Sequence, residues 1–233
     1  MEYMRRSPSR AREREEARAH PPFALALIVL AACGPAAESP KEPTGTLGAA
    51  PFKPSASAAY FLPPLTCSIP GAGSQAASAF IVLFSSSPTA CADLADECGV
   101  RKSAKSVLVA FETVGLGAAN DPTLVPGTYP LASSNSSRTT VRPGVYAFAQ
   151  ASSLLTDAAC SDSGTRFGSG SLVVTRANAF EVVGSLDATF GGGDRLSGAF
   201  AVPVCGAFPI DFCAELVAGF AGNPPCNSGT TCH

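Results

Sequence analysis

Eight cysteines downstream of residue 33 are the residues whose chemistry is easiest to anticipate in this sequence. None of them stands in a Cys-x-x-Cys pair, and the same part of the chain contains a single histidine, His233. Zinc ligation by cysteine and histidine is therefore disfavoured. An even number of cysteines in an oxidising compartment predicts up to four disulfides. The eight residues are Cys67, Cys91, Cys98, Cys160, Cys205, Cys213, Cys226 and Cys232.

The spacing of these cysteines constrains how they can pair. In a straight helix the sulfurs of Cys91 and Cys98 would be about 10 Å apart along the axis, which is too far for a bond. Each is therefore expected to have a distant partner, unless the segment bends. Cys160 lies just before the predicted strands over 170–205, and Cys205 is at their end. These positions favour a Cys160–Cys205 bond. The C-terminal tail is expected to be attached to the body by Cys213, Cys226 and Cys232.

Two groups of carboxylates could in principle hold a metal ion. Asp93, Asp96 and Glu97 lie within five residues, and Asp157 and Asp162 form a second group. Calcium prefers six to eight oxygen ligands, mostly carboxylates and carbonyls. Neither group has the spacing of a known calcium loop, so the favoured interpretation is solvated turns. Calcium at Asp93, Asp96 and Glu97 remains the alternative, and no cofactor is expected.

The composition also disfavours common catalytic arrangements. A serine or cysteine nucleophile needs a positioned base, and the only histidine after residue 33 is the C-terminal residue. Paired carboxylates such as Asp187 and Asp194 could support glycoside hydrolysis. The chain has no tryptophan and four tyrosines, which leaves little aromatic surface to hold a sugar. The sequence therefore predicts a protein that is not an enzyme.

The first 32 residues predict a secretory signal peptide. An arginine-rich segment precedes an apolar run over 23–30, which is too short to span a bilayer as a helix. Leu30-Ala31-Ala32-Cys33 resembles the bacterial lipobox, which implies cleavage before Cys33 and lipidation of that residue. Gly34, where a retention signal would place aspartate, favours the outer membrane of a Gram-negative cell, facing either the periplasm or the cell surface. The alternative is an ordinary signal peptide that is cut nearby.

Residues 33–65 are predicted to form a tether. Seven prolines and many small residues cannot build a packed core. The alternative is that Tyr60-Phe61-Leu62 already packs on the domain, as an edge strand. Beyond residue 33 the net charge is about −4, and the charges are scattered. This argues against a nucleic-acid partner.

Residues 66–233 are predicted to form one β domain. The stretch 170–205 contains two alternating runs around Gly191-Gly192-Gly193, which is typical of an antiparallel hairpin. Further strands are predicted over 79–84, 106–112, 125–131 and 144–151, and a short helix over Pro88 to Cys98. The predicted fold is therefore all-β, an antiparallel β-sandwich or barrel of about seven to eight strands with one short helix and several disulfides.

The order of these motifs resembles a known group of sequences. Pro88-x-x-Cys-x-x-Leu, Pro126-Gly-Thr-Tyr, Gly184-Ser-Leu-Asp-Ala-Thr-Phe and Leu196-Ser-Gly-x-Phe-x-x-x-x-Cys are similar to segments of uncharacterised predicted lipoproteins with a small β domain from GC-rich Gram-negative bacteria. The resemblance covers residues 78–205 and implies no activity. The expected function is that of an envelope-anchored structural or interaction protein, which contacts the membrane through its lipid and also contacts an envelope protein or glycan. The alternative is a β module that binds a small ligand or glycan.

Overall fold

The computed structural model describes residues 42–69, 73–95, 99–116, 120–132, 138–161, 164–207, 213 and 231–232. The predicted signal peptide (1–32), the lipidation residue Cys33 and the side chains of Asp96, Glu97, Cys98, Asp162 and Cys226 lie outside these ranges.

The described residues are mostly in β-strands. The elements, in chain order, are β1 Thr44–Leu47, β2 Ala50–Phe52, β3 Ala56–Ile69, β4 Gly73–Ser85, α1 Ala90–Ala95, β5 Gly99–Val100, β6 Lys105–Leu116, β7 Gly127–Leu131, β8 Thr139–Arg142, β9 Val145–Leu155, β10 Arg166–Phe167, β11 Ser169–Ala177, β12 Glu181–Thr189, β13 Arg195–Ala207 and β14 Thr231–Cys232.

Eight of the strands close into a barrel, in the order β3-β4-β6-β9-β7-β11-β12-β13 and back to β3. The all-β prediction is confirmed, and of the two predicted architectures the barrel is the one observed. The prediction of an antiparallel arrangement is only partly right, because two neighbouring pairs of strands are parallel. These pairs are β7 with β9 and β13 with β3. Alternating residues reveal which side chains face inward, but they carry no information on the direction of the neighbouring strand. The barrel is therefore mixed.

The β11 to β13 meander follows the predicted alternation. In β12 the side chains of Val182, Leu186 and Ala188 are buried inside the barrel. Gly184 is required at its position, since a Cβ atom there would lie 2.1 Å from the carbonyl oxygen of Val173. The turn after β12 contains Gly192 and Gly193 with φ of 85° and 83°, a region that favours glycine.

Residues 44–65, predicted as part of the tether, lie mostly in the strands β1, β2 and β3. β3 is one of the eight barrel strands, and the β1–β2 hairpin covers one end of the barrel, where Leu47 and Phe52 join the core. The main-chain N–H of Ala49 donates to Asp194 Oδ1 at 3.3 Å, and Lys105 Nζ donates to the carbonyl of Leu47 at 2.9 Å. The proline-rich composition concealed these strands, because their prolines lie mostly at exposed positions. We call this closed end the capped end.

Candidate interaction surface

The interior of the barrel is filled by side chains. Phe80, Phe84, Phe111 and Phe200 are at most 1% exposed. The rings of Phe80 and Phe111 stack with centroids 5.2 Å apart, and the ring of Tyr129 lies 4.6 Å from that of Phe111. Because these side chains occupy the interior, the surfaces available to a partner are on the outside of the barrel.

One outer side of the barrel is itself covered. On the outside of β3 and β4, Ala58 and Leu83 are buried against Ala90 of α1. Further along the same strands a second apolar cluster is packed against Cys213, and its buried members are Leu62, Cys67, Ala77, Ala79 and Val114. This side of the barrel therefore serves as a second core rather than as a free surface.

Disulfides hold both covering elements in place. Cys91 of α1 is bonded to Cys205 at the end of β13, and Cys67 of β3 is bonded to Cys213. The expected distant partner for Cys91 and the attachment of the tail through Cys213 are confirmed. The Cys160–Cys205 bond is wrong, because the packing of α1 on β3 and β4 brings Cys91 to Cys205. Cys160 is also in a disulfide, with another cysteine.

The opposite outer side of the barrel is an open face, formed by outward side chains of β7, β11, β12 and β13. Two cross-strand rows define it. One row is Thr128, Val173, Ser185 and Ala199, and the next is Pro130, Ser171, Asp187 and Ser197. These side chains are exposed or half-buried, short and mostly uncharged. None is aromatic, so the open face lacks the stacking surface that a sugar-binding sheet uses.

The charged groups around the open face are paired with each other. Arg195 donates to Asp187 at 2.8 Å, and Arg176 lies 2.5 Å from Glu181. Exposed pairs of this kind contribute little to stability. Their consequence is that the open face presents no unpaired charge from these four residues to a partner.

The carboxylates predicted as candidate catalytic residues are held by arginines. Asp194 is buried, and its Oδ2 accepts a bond of 3.2 Å from Arg166 while its Oδ1 faces Ala49. Asp187 is exposed on the open face and paired with Arg195. Asp194 thus connects the turn after β12 to the β1–β2 hairpin. The sequence offered no signal for this role, since an aspartate after three glycines is ordinary in a turn.

Of the candidate calcium residues, the structure describes Asp93 and Asp157, and both accept hydrogen bonds from groups of the protein. Asp93 Oδ1 accepts from Thr89 Oγ1 at 2.9 Å and is 2.5 Å from Nε of Arg101. In the second group, Asp157 Oδ1 accepts main-chain N–H groups of Ala159 and Ser161. Within the described ranges no three side chains of His, Cys, Asp or Glu are grouped as metal ligands.

Glu112 is a titratable residue that the sequence analysis missed. It lies on the outside of β6, between Ala79 of β4 and Phe148 of β9. Burial among these apolar neighbours raises the pKa of Glu112 to about 7, and the positive charge of Arg138 lowers it in part. A single glutamate in an alternating strand gives no sequence signal of this environment.

We expect Glu112 to make stability depend on pH. The folded carboxyl keeps its proton to about pH 7, whereas the unfolded carboxyl loses it near 4.5. The folded state binds more protons in this window, so the free energy of unfolding falls as the pH rises through it. Glu112→Gln removes the titration and is expected to stabilise the protein by roughly 1–3 kcal/mol at pH 8. Urea unfolding between pH 4 and 8 measures the slope, with the exposed Glu42→Gln as control. An unchanged slope in Glu112→Gln would contradict this assignment.

Together the fold and its surfaces define a class, a closed eight-stranded mixed β-barrel with a filled interior, disulfide-held covers and one open face. Comparison of the chain with family models, with curated proteins and with solved structures found no match. In the part of the chain that the structure describes, no helix has the length and apolar character needed to cross a membrane.

Proposed function

We propose that this chain is a non-enzymatic lipoprotein of the Gram-negative outer membrane, anchored through Cys33, whose barrel contacts an envelope protein. The filled interior is the observation that carries the proposal, because it leaves the exterior as the place for a partner. The oxidised cysteines are consistent with an exported protein. The lipobox-like Leu30-Ala31-Ala32-Cys33 and the following Gly34 support the anchor and its location.

The small-ligand or glycan alternative receives less support. A small-molecule site is usually a concave pocket lined by apolar and aromatic groups. The barrel interior is occupied by phenylalanines, and the open face has no aromatic residue. Among the described residues the exposed aromatic side chains are Phe167 and Phe180, which are separated, since Phe167 lies near the capped end and Phe180 at the opposite end.

The anchor is tested by metabolic labelling of the full chain in a Gram-negative host with an alkyne fatty acid. We expect label on the wild-type protein, with loss of label and release from the membrane fraction in Cys33→Ser. Acyl chains bind membranes in proportion to the methylene groups they bury, so loss of lipidation should abolish the attachment. Equal membrane attachment of Cys33→Ser would contradict the anchor.

The partner is tested by photo-crosslinking in the same cells. A photoreactive amino acid at Ser185 or Ala199 reports on the open face, and the same residue at Thr140, which is exposed on β8, is the control. We expect a discrete protein adduct from the open-face positions that is absent at Thr140. Adducts to glycan, or equal adducts at all three positions, would contradict a protein partner on this face.

A further inference from the structure

The described chain enters the barrel at its capped end. Pro43 is buried beside Gly198 of β13. A Cβ atom on Gly198 would lie 2.9 Å from the Cα of Pro43. Glu42 is exposed, and its Oε1 accepts a bond of 3.3 Å from Ser57 near the start of β3. The start of β3 lies beside the end of β4 and the start of β6, at the end that the β1–β2 hairpin closes. The described chain therefore begins at the capped end.

The distance from Cys33 limits which end of the barrel can face a membrane. Eight residues lie between Cys33 and Glu42, and the nine Cα–Cα steps of an extended chain span about 30 Å at most. The strands are up to 14 residues long, so at the usual strand tilt the barrel is roughly 30 Å tall. Turning the opposite end toward the membrane would use almost all of this reach. The capped end can approach the lipid without extending this segment fully.

Two positive charges at the capped end are outside the ion pairs of the described residues. Lys53, Lys102 and Lys105 are the lysines in the described part of the chain, and all three lie at this end. Lys53 and Lys102 are exposed and take part in none of the ion pairs between described residues, while Lys105 donates to the Leu47 carbonyl. In contrast, the arginines toward the other end face carboxyl groups, with Arg142 beside Asp121, Arg176 beside Glu181 and Arg138 beside Glu112.

Of the described carboxylates near the capped end, two are in ion pairs, and two accept hydrogen bonds from uncharged groups and keep their negative charge. Asp93 and Asp194 are in ion pairs with Arg101 and Arg166. Glu42 accepts from Ser57, and Asp157 accepts the main-chain N–H groups of its own turn. Among the described residues, the basic groups that this end offers to an external group outside an ion pair are thus the ammonium groups of Lys53 and Lys102.

We propose that the capped end faces the membrane, and that Lys53 and Lys102 contact the phosphates of anionic lipid headgroups. The inference rests on the proposed lipidation of Cys33, which brings this end close to the bilayer. Basic side chains near an anionic surface are attracted over about a Debye length. In this orientation the strands point away from the membrane, and the open face is turned sideways, where a protein in the same envelope layer can reach it.

The orientation is tested by amine footprinting of the full lipidated chain. The protein is reconstituted into phosphatidylcholine vesicles with or without phosphatidylglycerol and treated with a membrane-impermeant amine reagent. Modification at Lys53 and Lys102 is then compared with that in detergent. Arg142→Lys supplies the control amine, because it keeps the charge at the end opposite the cap. Vesicle flotation and the mass of the N-terminal peptide establish the anchor in the same sample.

We expect several-fold protection of Lys53 and Lys102 in vesicles with phosphatidylglycerol, less protection without it, and none at the control amine. Lys53→Gln with Lys102→Gln should leave flotation unchanged, since the anchor is the lipid. A chain that floats but has equally reactive amines at both ends would overturn the orientation and leave the anchor intact. Protection that is independent of phosphatidylglycerol would overturn the headgroup contact. A chain that does not float and carries no lipid would overturn the anchor, and the inference with it.

Discussion

Replacement of Phe111 by alanine is expected to lower the free energy of unfolding by about 3–5 kcal/mol. Phe111 is 1% exposed and its ring contacts both Phe80 and Tyr129 at the centre of the barrel. Removing the ring loses its burial and leaves a cavity that the surrounding strands cannot close, because hydrogen bonds on both sides of β6 fix their positions. Urea denaturation of the oxidised domain, followed by circular dichroism, measures the change.

The matched control for Phe111→Ala is Phe180→Ala. The ring of Phe180 is 83% exposed, in a turn whose main-chain N–H groups at Phe180 and Glu181 are held by Oδ1 of Asn178. Its removal should change stability by less than about 0.5 kcal/mol. If both variants lost stability equally, or if Phe111→Ala were neutral, the interior would not be packed as described. The assignment of function to the exterior would then lose its support.

Replacement of both Cys67 and Cys213 by alanine is expected to cost about 2–5 kcal/mol. This bond joins residues 146 apart in sequence, so in the oxidised unfolded chain it removes much conformational entropy. The double replacement also avoids a free thiol that could exchange with the other disulfides. Thermal unfolding without reductant is the measurement, and Cys91→Ala with Cys205→Ala, which opens a 114-residue separation, should cost nearly as much.

Peptide mapping without reduction checks the same disulfides directly. We expect linked peptides that contain Cys67 with Cys213 and Cys91 with Cys205. A linked peptide with Cys160 and Cys205 would contradict the placement of α1 on the outside of β3 and β4. A stability loss below about 1 kcal/mol in the Cys67 and Cys213 variant would show that the fold does not depend on this disulfide.

Much of the sheet was predictable from local patterns. The runs at 79–84 and 106–112 lie within β4 and β6, and the run at 144–151 begins one residue before β9. The meander after residue 170 has the predicted turn at Gly191-Gly192-Gly193. The short helix is present as α1, although the described part ends at Ala95. Period-two burial and glycine turns are properties of a few neighbouring residues, so a single strand is sufficient to reveal them.

The candidate surfaces were much less predictable. The open face exists because Thr128, Val173, Ser185 and Ala199 come from four strands that become neighbours only when the sheet is assembled. The raised pKa of Glu112 likewise depends on its burial between strands β4 and β9, against which the charge of Arg138 acts. No alternation within β6 distinguishes an outward position that is covered from one that is solvated.

The order of residues along the chain was sufficient to establish the β class, the inward side of each long strand, the main turns and the capacity for disulfides. Three features depend on contacts between distant segments, so only the tertiary structure decided them. They are the closure of the barrel, the two parallel strand pairings within it, and the disulfide partner of Cys205. The β1–β2 hairpin shows the difference most clearly. Its sequence is typical of a proline-rich spacer. Leu47 and Phe52 are buried only because the hairpin packs over the end of the barrel beside β13.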